Sequence, residues 1–196
     1  MKKLITHEDH IFIAGSSGMV GSSIFRTLIK SGYGRREKGG LIHTPSRKDL
    51  DLSDYSSVRN WFKEYKPTVV IIAAGKVGGI MDNSKHLSDY IYINSMIGLN
   101  IINCSLRYGV KKLINLGSAC IYPKKTSQPI SENTLLSSKL EETNEGYALA
   151  KIISLKYCQH LKKKNRKNFI SLMPANLYGE GDNFDLGSSH VLRSTV

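Results

Sequence analysis

Ile11-Phe12-Ile13-Ala14-Gly15-Ser16-Ser17-Gly18-Met19-Val20-Gly21 decides the fold. Four apolar residues form a short buried strand, and a glycine-rich turn leads into a helical pattern with apolar residues at Val20, Ile24 and Leu28. The spacing is GxxGxxG rather than the commoner GxGxxG, but the same physics applies. Gly15 permits a sharp turn, Gly18 lets backbone approach a pyrophosphate, and Gly21 lets the helix sit close to the sheet. Unpaired N–H groups and the positive dipole end then face an anion. A dinucleotide site follows, with Gly15, Ser16, Ser17, Gly18, Met19, Val20 and Gly21 as its phosphate-binding residues.

Working outward, strands and helices alternate. After the helix from Met19 to Ile29, the glycine- and charge-rich stretch Ser31–Gly40 reads as a loop. Leu41–Thr44 is a weaker second strand. Ser53 or Asp54 caps a helix ending near Tyr65, before Pro67. Val69-Val70-Ile71-Ile72-Ala73-Ala74 is the clearest buried strand. A long helix spans Leu87 to Tyr108, stopped by Gly109, and Leu113–Leu116 is the next strand. Asn144 caps a helix running through Tyr147 to about Lys163, and Phe169–Met173 is the last strand before Pro174. This rhythm predicts one α/β domain over 1–196: a Rossmann-type, doubly wound parallel sheet whose ligands lie beyond the strands' carboxyl ends.

Composition narrows the class. The 196 residues, 40% of them hydrophobic, suffice for one domain with a real core. No stretch approaches the ~20 apolar residues of a membrane span. Lys2 and Lys3 are followed by Glu8 and Asp9 rather than an apolar run, so no signal peptide is expected. Three widely spaced cysteines, Cys104, Cys120 and Cys158, suggest neither a disulfide framework nor a metal site and point to a reducing cytoplasm. The net charge of +12 favours anionic partners. Its densest run, Lys162-Lys163-Lys164-Asn165-Arg166-Lys167, reads as a solvated helix end that complements the dipole. No zinc-finger spacing or aromatic RNA-binding signature argues for nucleic acid.

The second strand ends in His43-Thr44-Pro45-Ser46-Arg47-Lys48. NAD binders usually carry a carboxylate there for the ribose 2′-hydroxyl. Two cations suit a 2′-phosphate, so Arg47 is read as the clamp for NADP, against the competing Asp49 and Asp51. Further along, Tyr147 and Lys151 stand at i and i+4, on one helix face. A neighbouring ammonium favours the phenolate, which predicts a lowered tyrosine pKa and a usable general acid/base. Ser118 follows Leu116-Gly117 at a strand's carboxyl end, where its hydroxyl can bond a substrate carbonyl.

These motifs in this order resemble the extended short-chain dehydrogenase/reductases. Longer strings resemble the GDP-L-fucose synthase family within them: Ala73-Ala74-Gly75-Lys76-Val77-Gly78-Gly79-Ile80, Gly117-Ser118-Ala119-Cys120-Ile121-Tyr122-Pro123, Pro174-Ala175-Asn176-Leu177-Tyr178-Gly179-Glu180-Gly181-Asp182-Asn183-Phe184, and Ser189-His190-Val191. The resemblance implies epimerisation at carbons 3 and 5 of a GDP-linked 4-keto-6-deoxy sugar, followed by reduction of the ketone with NADPH. It implies Ser118, Tyr147 and Lys151 as the reductive set, with Cys120 and His190 as the acid/base pair for epimerisation. Reference pKa values near 8.5 and 6.5 suit both directions of proton transfer. It places Leu116, Gly117, Ser118, Ala119, Tyr147, Lys151, Pro174, Ala175, Asn176, Leu177 and His190 on the cofactor, and pairs subunits as a homodimer through Tyr90–Leu106 and Tyr147–Leu161. Cys104 and Cys158 read as core packing. Lys76 either steers substrate phosphates or shapes its loop.

The chain departs from that pattern at Ala119 (often serine), at Ala175 (usually threonine), at Pro45 (near a further arginine in some members) and in the tail Leu192–Val196. Family members continue into a substrate-binding lobe of roughly 100 residues. The resemblance therefore implies weak or no turnover by the stretch ending at Val196 alone. Two other readings stay open: a related nucleotide-sugar epimerase or dehydratase, and a catalytically silent cofactor-binding module.

Overall fold

The computed structural model describes residues 4–182. Five parallel strands form one sheet in the order β2-β1-β3-β4-β5: β1 His10–Ala14, β2 Leu41–His43, β3 Val69–Ile72, β4 Lys112–Leu116 and β5 Asn168–Leu172. β1 sits between β2 and β3, so the chain switches direction across the sheet there. That switch point is where an open α/β sheet leaves a crevice at its carboxyl edge.

The expected elements are present, with edges trimmed. The buried run Val69–Ala74 is strand only to Ile72; Ala73 still donates its N–H to the Ala14 carbonyl at 2.9 Å before the chain turns into the Gly75–Gly79 loop. α1 (Met19–Lys30) follows the glycine turn. α2 (Tyr55–Tyr65) is capped by Asp54, whose carboxylate accepts from Ser56 N at 3.3 Å and Ser57 N at 2.7 Å. A short α3 (Ile80–Lys85), in a stretch to which the sequence reading assigned no element, precedes the long α4 (Leu87–Arg107). α5 (Glu145–Asn165) ends on Lys162–Lys164, so the densest basic run closes a helix, where its charge offsets the dipole.

Strand alternation sends side chains to two faces. Phe12, Val70, Ile72, Leu113 and Phe169 pack with Val58, Phe62, Ile101 and Cys158 from α2, α4 and α5. Ile11, Ile13, Val69 and Ile71 meet Ile24, Phe25 and Leu28 of α1 on the other. Cys104 and Cys158 are fully buried in this core, as read from the sequence. α4 and α5 lie against each other, close enough at Gly98 that a Cβ there would overlap the Ser154 hydroxyl.

Candidate functional site

Two cavities open at the carboxyl edge of the sheet, of about 940 Å³ and about 410 Å³, sharing the walls at Gly18 and Ala73–Gly75. The glycine turn separates them. Gly15 holds φ +83°, a left-handed conformation, and a Cβ there would come within 2.7 Å of the Ala74 backbone. A Cβ on Gly21 would overlap the Gly15 carbonyl oxygen and lie 2.9 Å from Ser16 Cα. So Gly21 lets the helix close on the turn itself rather than on the sheet. Gly18 differs, since its Cβ would meet only Gly15 O at 3.5 Å, an ordinary contact. Nothing in the described protein demands glycine there, and the space it leaves belongs to the cavity. α1 begins at Gly18 with no side-chain cap and no acidic residue in its first turn, leaving N–H groups and the positive dipole end for an anion.

The smaller cavity holds Gly15, Ser17 and Arg47. The two carboxylates that compete with Arg47 are tied into their own turns. Asp49 accepts from Ser46 N at 3.0 Å and Ser46 Oγ at 2.6 Å, and Asp51 accepts from Ser53 N at 2.9 Å and Ser53 Oγ at 2.6 Å. Those serine contacts, with Arg47 a lesser influence on Asp51, hold both carboxyls below their usual range. Among the described residues Arg47 makes no salt bridge. Lys76 also borders this cavity, its ammonium 3.4 Å from Asp89 and over the Tyr90 ring. Its backbone is clamped by Asn94, whose Oδ1 accepts from Lys76 N at 2.8 Å and whose Nδ2 donates to Lys76 O at 3.1 Å. Of the two readings of Lys76, loop shaping is the one these contacts express.

The larger cavity gathers the other residues. α1 contributes Met19, Val20 and Gly21; the end of β4 and the turn beyond it contribute Leu116, Gly117, Ser118 and Cys120. α5 contributes Tyr147 and Lys151, and the segment after β5 contributes Pro174, Ala175, Asn176 and Leu177. Ser16 and Ala119 line neither cavity. His190 lies outside the described residues. Ser118 opens a one-turn helix, Ala119–Ile121, and its Oγ accepts from Cys120 N at 3.4 Å.

The electrostatics correct one expectation. Lys151 is 8% exposed, and its ammonium donates to Leu116 O at 3.0 Å while lying 5.5 Å from the centre of the Tyr147 ring. It is aimed at a carbonyl and a ring face, not at the phenol oxygen. Burial, aided by the neighbouring Cys120, therefore raises the Tyr147 pKa above the ordinary phenol value instead of lowering it. Burial also pulls Lys151 down to about 8. The Cys120 thiol is pushed up by burial, against opposing pulls from Ser118, Lys151 and Asn144. At neutral pH the site thus holds a phenol and a thiol, each carrying its proton.

Sequence reading missed the polar floor. Asn83 on α3 donates Nδ2 to Gly78 O at 2.6 Å and Gly79 O at 3.0 Å, fixing the glycine pair of the loop. Asp82 accepts from the Tyr90 hydroxyl and from His86 Nδ1. Asn144 stands at the start of α5 as expected, but makes no cap. The recurrence of Asn and Asp around a Gly-Gly loop was the available signal; their partners were not.

Comparison with known proteins follows this geometry. The NAD dependent epimerase/dehydratase family matches the chain over residues 11–196. A GDP-L-fucose synthase of Sinorhizobium fredii is 46% identical over 186 residues, covering 95% of this chain and 57% of that protein. A GDP-D-glycero-L-gluco-heptose synthase of Campylobacter jejuni, solved in the presence of NADPH, superposes with a TM-score of 0.88 at 34% identity, covering 97% of this chain and 54% of that one. A GDP-L-fucose synthetase of Naegleria fowleri bound to NADP gives 0.84 at 30% identity, covering 97% and 57%. The chain spans about half the length of the curated relatives it matches.

Proposed function

This chain belongs to the NAD dependent epimerase/dehydratase family, and on that premise we propose that it serves the NADPH-dependent 3,5-epimerisation and 4-reduction of GDP-4-keto-6-deoxy-D-mannose to GDP-L-fucose. One observation carries the reading: Ser118, Cys120, Tyr147 and Lys151 line a single cavity that the glycine turn also borders. The turn fits a dinucleotide, because Gly15 and Gly21 bring backbone where a Cβ would collide, and the capless helix end suits a pyrophosphate. Arg47, with the nearby carboxylates engaged by serines, suits a 2′-phosphate.

The reduced cofactor supplies a hydride to the ketone carbon when bound. Ser118 Oγ donates to the ketone oxygen, and the protonated Tyr147 hydroxyl passes its proton to that oxygen as it becomes an alcohol. Lys151, over the ring, stabilises the phenolate left behind. Epimerisation uses the same carbonyl. Loss of a proton beside it puts negative charge on the oxygen facing Ser118 and Tyr147. His190 takes the proton that leaves carbon, the protonated thiol of its partner Cys120 returns one to the opposite face, and exchange with solvent resets the imidazolium and the thiolate. A homodimer through α4 and α5, where Tyr92 and Ile153 are exposed, and a cytoplasmic location complete the proposal. No helix among the described residues is long and apolar enough to cross a membrane.

The test is incubation of the protein, in single-turnover amounts, with the keto sugar and NADPH in deuterated water. Deuterium at C3 and C5 together with NADPH oxidation is the expected result. Tyr147→Phe should keep the exchange and slow oxidation by about 10²–10⁴-fold. Oxidation without exchange would show a simple ketone reductase, and neither process would remove the proposal.

A further inference from the structure

Asp82 and Tyr90 stand four positions before and after His86, where α3 ends and α4 begins. His86 is non-helical, at φ −127° and ψ 37°, so the helix breaks there. The Tyr90 hydroxyl donates to Asp82 Oδ2 across that break, and Asp82 Oδ1 accepts from His86 Nδ1 at 2.8 Å. Tyr90 is fully buried, and the Lys76 ammonium lies 4.9 Å from the centre of its ring. Burial, then the bond to Asp82, holds the phenol above its usual range. The same bond, ahead of the one from His86, holds the carboxyl below its own, so at neutral pH a phenol donates to a carboxylate. The Gly75–Gly79 loop rests on this pair. A Cβ on Gly78 would overlap the Tyr90 hydroxyl and lie 2.6 Å from Asp82 Oδ2. From the next residue of α3, Asn83 holds the Gly78 and Gly79 carbonyls.

We propose that Tyr90 and Asp82 are positioning residues, a clamp that fixes α3 on α4 and so holds the Gly75–Gly79 loop as a wall of the larger cavity. Neither side chain lines a cavity; both act through Gly78, which does. The bearing on a ligand follows from where the loop runs. Arg47 lies in the smaller cavity and Ser118, Tyr147 and Lys151 in the larger, so a dinucleotide reaching both crosses the shared wall at Gly18 and Ala73–Gly75. Beyond that crossing Val77 and Gly78 line only the larger cavity. Lys76, on the smaller one, has its backbone held separately by Asn94. The clamp therefore governs the grip on the nicotinamide half of the cofactor and leaves the adenosine half alone. This consequence rests on the reading of the two cavities as one NADPH site.

The test pairs ligand titration with thermal melts of the purified chain. NADPH carries both halves of the cofactor; 2′,5′-ADP carries the adenosine and its 2′-phosphate without the nicotinamide. Tyr90→Phe keeps the ring beneath Lys76 and removes only the hydroxyl. It should weaken NADPH binding by about three- to tenfold and 2′,5′-ADP binding by less than about twofold. Asp82→Ala should match it. Asp82→Asn, which keeps an acceptor oxygen for Tyr90, should restore NADPH affinity to within about twofold of the parent. The melts test the contact itself. Gly78→Ala should lower the melting temperature by about 5 °C, because its methyl group overlaps the hydroxyl. In Tyr90→Phe that hydroxyl is gone and the partly exposed Asp82 can turn aside, so adding Gly78→Ala should cost less than about 2 °C more. Additive losses overturn the clamp, as does a Tyr90→Phe chain that melts lower yet binds NADPH like the parent, or one that loses NADPH and 2′,5′-ADP equally. A parent chain that binds neither ligand ends the NADPH reading, and the clamp then stands or falls on the Gly78–Tyr90 exchange in the melts alone.

Discussion

The glycine turn between the two cavities and the far end of the larger cavity are built from different materials. At the glycine turn the walls are backbone: Gly15 at φ +83°, Gly21 against the Gly15 carbonyl, and a helix start without a side-chain cap. At the other end they are side chains, Ser118 with Cys120, Tyr147 and Lys151, and burial is the largest influence on the protonation of the last three. A backbone site is a steric object, and one added carbon decides it. A side-chain site is an electrostatic object, and it responds to pH and to partial substitution. Substitutions at the first end should act all-or-none, and at the second by degree.

The largest effect is expected at Gly21. In Gly21→Val the new Cβ overlaps the Gly15 carbonyl, so stability should fall by about 3 kcal/mol and NADPH affinity by 100-fold or more. Gly18→Ala sharpens the contrast. Its Cβ makes an ordinary 3.5 Å contact, so the fold should keep its stability to within about 0.5 kcal/mol while NADPH binding weakens by roughly 10–100-fold. Urea titration and NADPH fluorescence measure the two quantities. Equal loss of stability in both variants would erase the distinction between a glycine required by the turn and one required by its ligand.

Next comes Arg47, a side chain of the smaller cavity on the other side of the glycine turn. It makes no salt bridge among the described residues, so Arg47→Ala should leave folding unchanged. It should cut the preference for NADPH over NADH by about 10–100-fold, the worth of a charge-assisted hydrogen bond. Competitive titration of the two cofactors reads that ratio, and an unchanged ratio would remove Arg47 from the 2′-phosphate.

The same division explains what was legible in the sequence. The parallel sheet and the turn were legible because glycine spacing and apolar runs are steric signals carried by the residues themselves. The convergence of Ser118, Tyr147 and Lys151 on one cavity also followed, since strand ends and helix faces fix their positions, whereas Cys120 entered the set only through the family resemblance. The direction of the Tyr147 shift did not follow. The i, i+4 spacing places Lys151 near the ring but says nothing of the Leu116 carbonyl that takes its ammonium, or of the burial that outweighs it. Asn144 was legible as a helix start and not as a residue that declines to cap, because residue type and spacing do not carry the side chain's direction. The engagement of Asp49 and Asp51 by Ser46 and Ser53 depends on turn geometry that two residues' spacing only hints at.

The smallest effect is also the most diagnostic of the side-chain end. Lysine ordinarily titrates near 10.5, and burial brings Lys151 to about 8. In the unfolded chain the amine keeps its proton up to the higher value; in the folded chain it releases it at the lower. Between about 8 and 10.5 the unfolded state binds more protons, so stability rises with pH across that window, and the whole penalty is present below it. At ~1.4 kcal/mol per unit the penalty at pH 7 is roughly 3 kcal/mol. Lys151→Met removes it but strands the Leu116 carbonyl, which returns about 1–3 kcal/mol. The variant should therefore be more stable than the parent by about 1 kcal/mol at pH 7, and the advantage should disappear by pH 10. Urea melts at the two pH values measure it. A variant destabilised equally at both would mean that Lys151 is held as a structural donor to Leu116 rather than as a strained ammonium kept for the phenolate of Tyr147. Gly21→Val should show no such pH dependence, because a collision between a Cβ and a carbonyl does not titrate.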